Sequence, residues 1–219
     1  MVLSKVALTG SSGMLGSHIK HLLTSSRIEV VPVSRKSSNH TVEWDLCDWK
    51  EDQFFDEIFN GIEAIILAGA MVEPNNNHDI KKMYNSNVRS CLNIGDWAIK
   101  RDIPVIYISG AIVYADILKE MQTEKAPRGW HGYGGFYGFS KLLGEDILFR
   151  LKEQGLKISI LRPTSIYGLG MPSESLVSSF FSKASSGEVI EISNPIEDKV
   201  DLIHASDVAN AVKLVIKKQ

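Results

Sequence analysis

The feature that most constrains the fold of this chain is a glycine-rich turn between an apolar and an amphipathic stretch, Thr9-Gly10-Ser11-Ser12-Gly13-Met14-Leu15-Gly16. The apolar residues 6–8 predict a short buried strand before the turn, and the recurrence of Leu15, Ile19, Leu22 and Leu23 predicts a helix after it. In such a turn Gly10 permits the tight bend, Gly13 lets the backbone approach a pyrophosphate, and Gly16 lets helix and strand pack closely. The free N–H groups at the positive end of the helix then bind the anion. Because glycine-rich turns are common, this prediction depends on the flanking strand and helix.

Predicted strands and helices alternate along the chain, which is typical of a parallel sheet covered on both faces. We predict further strands at 29–33, 42–44, 64–68, 104–109 and 157–161, and helices at 48–60, 80–100 and 137–153. Beyond residue 163 we predict a helix at 176–184, a short strand at 189–192 and a helix at 205–217. The expected fold is α/β: residues 1–163 form a doubly wound parallel sheet (Rossmann fold) that binds a dinucleotide. Residues 164–219 form a small, truncated C-terminal substrate lobe, with segments that return to the first domain.

Composition excludes several classes of protein. The 219 residues are 44% hydrophobic and 23% charged with a net charge of −2, so no bulk attraction to nucleic acid or to an anionic membrane is expected. No apolar run reaches the roughly 18 residues of a membrane span, and the first five residues leave no room for a signal sequence. We therefore expect a cytoplasmic protein. Cys47 and Cys91 lie in different predicted elements without metal-ligand spacing, and we expect both to be reduced.

A second motif is Tyr137-Gly138-Phe139-Ser140-Lys141, whose spacing puts the phenol and the ammonium on one face of a helix. A nearby cation lowers the cost of ionising a tyrosine, so Tyr137 is a candidate acid or base near neutral pH. The alternative is a solvated helix pair, since this spacing also arises by chance. The position favours chemistry, because the helix follows the fifth strand, where a cofactor held by the glycine turn would extend over the strand ends.

With both motifs in place, the chain resembles the extended short-chain dehydrogenase/reductases, the NAD(P)-dependent nucleotide-sugar epimerase and dehydratase group. The matching segments are residues 9–16 for T-G-x-x-G-x-x-G, Asp45-Leu46 for the acidic pair near the adenine, Ala68-Gly69-Ala70 for the end of the fourth strand, Asn87-Val88 for the helix asparagine, residues 108–114 for the serine-containing strand end, Tyr137 and Lys141 for the catalytic pair, Arg162-Pro163-Thr164-Ser165-Ile166-Tyr167-Gly168 for R-P-x-x-x-Y-G, and residues 200–208 for D-x-I-H-x-x-D-V. Nearly the whole chain is covered.

The resemblance implies an oxidoreductase or epimerase acting on a sugar or nucleotide sugar. Tyr137 would donate or accept the proton at the reacting oxygen, while Lys141 would bind the nicotinamide ribose and lower the pKa of Tyr137. Ser109 joins them as a candidate catalytic residue, and no metal is expected. A homodimer through the helices at 80–100 and 137–153 is also implied. The residues expected at the cofactor are Gly10, Ser12, Gly13, Met14, Leu15, Gly16, Ser34, Arg35, Lys36, Asp45, Leu46, Ala68, Gly69, Ala70, Asn87, Ser109, Tyr137, Lys141, Pro163 and Ser165.

The chain departs from the family at Gly110. Counted back from Val113, this position usually carries a Ser or Thr that hydrogen-bonds the reacting oxygen. Ser109 should point to the opposite side of an extended strand, so Thr164, Ser165 or a water are the alternatives. Loss of one such donor lowers the rate by roughly a hundredfold. The alternative function is therefore an NADP(H)-binding sensor or scaffold with weak or no catalysis. Residues 110–112 also lack the Asp-Glu pair of the 4,6-dehydratases, which disfavours dehydration.

A second departure is length, since members of the family commonly continue for many tens of residues and use them to hold the nucleotide half of the substrate. Three explanations stay open: a fragment, a smaller substrate, or a partner subunit that completes the pocket.

The end of the second strand bears on cofactor choice. An acidic residue there would accept a hydrogen bond from the adenosine 2′-hydroxyl, but the chain has Ser34 followed by Arg35 and Lys36. A hydroxyl and two cations suit a phosphate, so we expect NADP(H), with NAD(H) as the alternative. The two cations are otherwise solvated loop charges.

Several histidines and aromatic residues carry weaker predictions. His18 and His21 have a spacing that could suit a metal, but without a third ligand we expect surface histidines. Trp130, His131 and Tyr133 either line the substrate pocket or pack on the lobe.

Overall fold

The centre of the fold is a six-stranded parallel sheet in the order β3-β2-β1-β4-β5-β6. The computed structural model describes residues 3–36, 40–72, 79–192, 195 and 198–218. The strands of the sheet are β1 (Lys5–Thr9), β2 (Glu29–Ser34), β3 (Val42–Glu43), β4 (Ala64–Leu67), β5 (Val105–Ile108) and β6 (Ile158–Leu161). The helices are α1 (Met14–Ser25), α2 (Asp52–Ile58), α3 (Ile80–Tyr84), α4 (Ser90–Lys100), α5 (Gly135–Glu153), α6 (Leu176–Ser186) and α7 (Ala205–Lys218). The predicted doubly wound fold is confirmed.

Helices cover both faces of the sheet, and strand β4 explains why. Its four residues are all buried, and alternate side chains enter opposite cores. Ile65 packs in a core that includes Trp97 of α4, whereas Ile66 packs in a second core with Ile19 of α1 and Val212 of α7. Because both faces are covered, β4 is a continuous apolar run instead of an alternating one.

The helix predicted at 80–100 contains an irregularity that sequence periodicity did not predict. A π-helical turn, Asn85–Arg89, joins α3 to α4. Such turns contain an extra residue per turn and are frequent at functional sites. The turn contains the buried Asn87.

The tail after β6 differs most from prediction. Short strands β7 (Ser165–Tyr167) and β8 (Leu202–His204) form a two-stranded parallel sheet that was not predicted. The strand predicted at 189–192 is wrong, since these residues belong to no strand. Val189 and Ile192 are 79% and 62% exposed, so their β-branched side chains have no packed surface to stabilise a strand.

Helices α6 and α7 also differ in their surroundings. Helix α6 has no buried residue, whereas α7 buries Val208, Ala209, Val212 and Ile216. The apolar face of α7 packs against α1 on one face of the main sheet. None of the helices within the described ranges is long and apolar enough to cross a membrane.

Candidate active site

The candidate active site lies where β1, β4 and β5 end. These strands are neighbours, and Gly10, Gly69 and Ser109 are close behind their last residues. Because the strands are parallel, their carboxyl ends meet at one edge of the sheet, where α/β folds bind ligands. The sheet therefore brings the glycine turn to the same edge as the residues after β5.

The glycine turn is packed so closely that side chains are excluded. Gly10 has a φ of +67°, and a Cβ atom on it would lie 2.6 Å from the Cα atom of Gly69. A Cβ atom on Gly16 would overlap the carbonyl oxygen of Gly10. Gly13 caps the start of α1 without a side-chain hydrogen bond, and the first turn has no acidic residue. The helix N-terminus is therefore free for an anion, and this cradle fits a pyrophosphate.

The end of β2 lies beside this cradle. The buried hydroxyl of Ser34 donates to the carbonyl oxygen of Lys36 (2.8 Å), so its hydrogen stabilises the local turn. Arg35 and Lys36 are exposed. A carboxylate oxygen of Asp45, after β3, accepts from the amide of Cys47 (2.9 Å). Of the other residues expected at the cofactor, Ser12 is exposed, and Met14, Leu15, Leu46, Ala68 and Ala70 are half-buried.

Asn87 connects the end of β4 to α5. Its side-chain oxygen accepts from the amide of Met71 (2.7 Å), and its side-chain nitrogen donates to the carbonyl of Met71 (2.9 Å). The same nitrogen donates to the hydroxyl of Ser140 (3.0 Å), which donates in turn to the carbonyl of Tyr137 (2.7 Å). One buried amide therefore fixes the chain after β4 against the helix that contains Tyr137.

Tyr137 and Lys141 are on the first two turns of α5. The ammonium of Lys141 is buried, donates to the carbonyl oxygen of Ile108 (2.9 Å) and lies 5.9 Å from the centre of the Tyr137 ring. The lysine is therefore fixed at the end of β5, with the ring of Tyr137 beside it. This arrangement suits a proton-transfer site with an adjacent cation.

The pKa values of the pair follow from burial. Burial raises the pKa of Tyr137, the reverse of the lowering expected from its neighbour. Burial also lowers the pKa of Lys141 to about 8, and the charges of Cys91 and Glu145 oppose this effect. The expectation was incomplete because it included the cation and omitted the desolvation of both groups.

The position that lacks the usual hydroxyl, Gly110, has room for a Cβ atom. Gly110 has extended backbone (φ −169°), and the nearest atom to a Cβ placed on it is Cγ2 of Ile112, at 3.5 Å. Ser109 is buried, and its hydroxyl has no hydrogen-bond partner among the described residues. Ser165 is exposed in β7, with its amide donating to Asp201 (3.2 Å), and Pro163 accepts from the amide of Ala111 (2.8 Å).

Sequence reasoning missed a buried ionic cluster on α5. Glu145 is fully buried and accepts from Arg162 through both its oxygens (2.9 and 2.8 Å) and from Arg128 (3.1 Å). Arg162 also lies over the ring of Tyr114, 5.0 Å from its centre. The cluster fixes the loop before α5 and the end of β6 to this helix. The i,i+4 spacing of Glu145 from Lys141 was the available signal.

The aromatic loop before α5 is fastened by His131. Its Nε2 atom lies 2.8 Å from the carbonyl of Ile112, and its Nδ1 atom accepts from the amide of Tyr133 (3.3 Å). Since Nδ1 accepts, Nε2 carries the proton. Trp130 is 50% exposed and packs on Phe139, their ring centres 5.2 Å apart.

His18 contacts two residues that follow β6 in the chain. Its Nε2 atom lies 3.2 Å from the carbonyl of Leu169, and its ring meets that of His204 edge to face. His21 is exposed. Within the part of the chain that the structure describes, no group of three or more His, Cys, Asp or Glu side chains could hold a metal ion.

Comparison with known proteins identifies the family. The sequence matches the model of the NAD dependent epimerase/dehydratase family over residues 6–219, so the chain belongs to this family. The resemblance found from the sequence motifs is confirmed.

Solved structures share the fold. The chain superposes on UDP-N-acetylglucosamine 4-epimerase from Methanobrevibacter ruminantium, in complex with UDP-N-acetylmuramic acid, with a TM-score of 0.84 at 20% identity, covering 100% of this chain and 74% of that one. For UDP-glucose 4-epimerase from Thermus thermophilus in complex with NAD, the TM-score is 0.79 at 21% identity, covering 97% of this chain and 74% of that one. For dTDP-glucose 4,6-dehydratase from Bacillus anthracis in complex with NAD, the TM-score is 0.81 at 17% identity, covering 98% of this chain and 72% of that one. At these identities the likeness establishes the fold.

Proposed function

We propose that the chain is an NAD(P)-dependent oxidoreductase or epimerase that acts on a sugar or nucleotide sugar. The observation that carries the proposal is that Lys141 is buried at the end of β5 with the ring of Tyr137 beside it, two strands from the glycine turn after β1. Membership of the family and the NAD complexes of structures with the same fold support it.

In this proposal Tyr137 transfers the proton and Lys141 holds the cofactor ribose. A bound nicotinamide supplies the hydride acceptor or donor. Tyr137 gives a proton to the carbonyl oxygen of the substrate, or takes one from the hydroxyl, at its phenolic oxygen. Lys141, fixed by the Ile108 carbonyl, has N–H groups left to hold the ribose hydroxyls. The raised pKa of Tyr137 keeps it protonated before reaction, as a proton donor requires.

The cofactor form is part of the proposal. Exposed Arg35 and Lys36 after β2 favour the 2′-phosphate of NADP(H). The NAD complexes with the same fold favour NAD(H). Titration of tryptophan-to-nicotinamide energy transfer with NADPH and NADH distinguishes them, because Arg35→Ala should weaken NADPH binding only if the guanidinium contacts the phosphate.

The test of catalysis is a Tyr137→Phe variant. Turnover of a panel of UDP- and dTDP-sugars, followed by nicotinamide absorbance and by product analysis, should fall by roughly two to four orders of magnitude while cofactor affinity stays nearly constant. Tyr84→Phe, on the exposed face of α3, is the matched control. It removes a hydroxyl but keeps the ring, which is the part that the dimer proposed below would bury, so it should behave as wild type. Equal turnover of the two variants would overturn the assignment of Tyr137.

A second candidate function, a dinucleotide-binding sensor or scaffold with weak catalysis, is favoured by Gly110. Under this alternative the cofactor binds with normal affinity, and no sugar in the panel turns over in either the wild type or Gly110→Ser.

We also propose a homodimer through the helices at 80–100 and α5. Exposed apolar side chains along the first of these support it: Ile80, Tyr84 and Leu92 are 51%, 44% and 39% exposed. Light scattering should give twice the chain mass for wild type and a monomer for Ile80→Glu.

A further inference from the structure

Lys141 is surrounded by groups from three elements. Tyr107 of β5 and Cys91 of α4 face it from outside its own helix, and Tyr137 and Glu145 face it from α5. Its only hydrogen-bond partner among the described residues is the Ile108 carbonyl. A carbonyl carries no net charge, so this partner compensates the buried ammonium only in part.

The ring of Tyr107 supplies a second contact. The Nζ atom of Lys141 lies 5.1 Å from the centre of this ring, closer than the 5.9 Å to the ring of Tyr137. Tyr107 is 2% exposed. At such distances a buried aromatic face attracts a cation electrostatically, and more strongly than at the surface.

The hydroxyl of Tyr107 does not account for its presence. It is buried, and it meets the geometric criteria for a hydrogen bond with none of the described residues. The neighbouring Cys91 thiol donates to the carbonyl of Asn87 (3.2 Å), but it lies close enough to the hydroxyl to affect the pKa of both groups. Burial, the charges of Cys91, Tyr137 and Glu145, and the contact with the Cys91 side chain raise the pKa of Tyr107 well above its ordinary value, so the phenol stays neutral. The aromatic face is therefore the part of Tyr107 that acts on Lys141.

Gly144 makes the position possible. A Cβ atom on Gly144 would lie 2.6 Å from the Tyr107 hydroxyl oxygen. The helix next to Lys141 thus lacks a side chain where the tyrosine enters.

We propose that Tyr107 is a positioning residue, whose aromatic face keeps Lys141 charged and directed at the end of β5 through a cation–π contact. The ring attracts the ammonium without accepting a conventional hydrogen bond from it. Because the Ile108 carbonyl accepts one of the three N–H groups of Lys141, the other two are left for a ligand. The importance of this contact for catalysis rests on the proposed function, whereas its effect on the charge of Lys141 does not.

The test measures the charge of Lys141 directly in the full chain without cofactor. Protein containing lysine labelled with ¹³C at the ε-carbon is titrated by NMR, and the Lys141 signal is identified by its absence in Lys141→Met. Tyr107→Phe keeps the ring and should leave the Lys141 pKa within a few tenths of a unit. Tyr107→Leu removes the ring and should lower the pKa by about one unit. Equal pKa values in the Phe and Leu variants would overturn the proposal.

A fluorinated ring guards against a Leu variant that fails to fold. Trifluorophenylalanine at position 107 has nearly the shape of phenylalanine, but its fluorines withdraw electron density from the ring face. The proposal predicts a lower Lys141 pKa than in Tyr107→Phe, at similar thermal stability. An unchanged pKa would mean that Tyr107 only fills space. Neither measurement of the Lys141 pKa depends on sugar turnover. A failure of the proposed function can therefore be distinguished from a failure of this proposal.

Discussion

Lys141 and Ile108 are joined by a 2.9 Å hydrogen bond from the side-chain nitrogen to the backbone carbonyl, which ties α5 to the last residue of β5. The strand end therefore supplies the hydrogen bond that fixes the lysine, in addition to the contact proposed for the Tyr107 ring. Substitution of Ile108 leaves this acceptor in place, whereas any shift between α5 and the sheet breaks the bond.

The first prediction concerns Gly110, where the backbone is extended and a side chain fits. Gly110→Ser should raise the turnover number of a slow enzyme by up to roughly a hundredfold, because it restores a hydrogen-bond donor to the reacting oxygen. Gly110→Ala adds the same Cβ without the hydroxyl and should give no gain. Steady-state kinetics of both variants check this, and an equal response would show that the hydroxyl does not take part.

The second prediction concerns Lys141 and pH. Its folded-state pKa of about 8 lies below the ordinary 10.5, so the unfolded chain binds more protons between these values. The lysine therefore destabilises the fold fully below pH 8, and this effect disappears as the pH rises to 10.5. Relative to Lys141→Met, the wild type should gain about 3 kcal/mol of unfolding free energy across this window. Urea unfolding at a series of pH values measures the difference in unfolding free energy between the wild type and Lys141→Met. If Lys141 were solvated, this difference would not change with pH.

The third prediction concerns the buried cluster around Glu145. Glu145→Gln leaves Arg128 and Arg162 without their carboxylate and should lower the unfolding free energy by roughly 3 kcal/mol. Glu153→Gln is the matched control on the same helix: its partner Arg150 is exposed, so a change below roughly 0.5 kcal/mol is expected. If chemical denaturation finds equal effects, the cluster does not stabilise the fold.

The fourth prediction separates two glycines of the anion cradle. A Cβ on Gly16 overlaps the Gly10 carbonyl, so Gly16→Ala should destabilise the fold by roughly 1–3 kcal/mol. Gly13 is exposed, and a Cβ on it meets that carbonyl at 3.3 Å, which a small shift relieves. Gly13→Ala should therefore weaken dinucleotide binding at a smaller cost in stability than Gly16→Ala. Thermal melts without cofactor, with NAD and with NADP give both quantities. The reverse order of effects would exclude Gly13 from the anion site.

Some parts of this molecule were predictable because one local signal determines them. The continuous apolar run of β4 indicates a strand buried on both faces, and the four-residue spacing of Tyr137 and Lys141 puts both on one side of α5. The glycine turn was equally local.

Other parts depend on contacts between distant segments. Strands β7 and β8 have three residues each, too few for a periodic pattern, and are paired only because the fold brings them together. The π-helical turn adds a residue without changing the helical composition of its segment. The desolvation that decides the pKa values of Tyr137 and Lys141 likewise comes from the assembled helices and sheet.

The packing of α7 on α1 has a consequence for folding during synthesis. Ile19 and Leu23 leave the ribosome early, but their partners Val212 and Ile216 come almost two hundred residues later. Until then the helix that begins at the glycine turn has an uncovered apolar side, which a nascent chain must shield or leave open to chaperones. The entropy of closing so long a loop grows only slowly with its length, so the delay is one of timing more than of final stability.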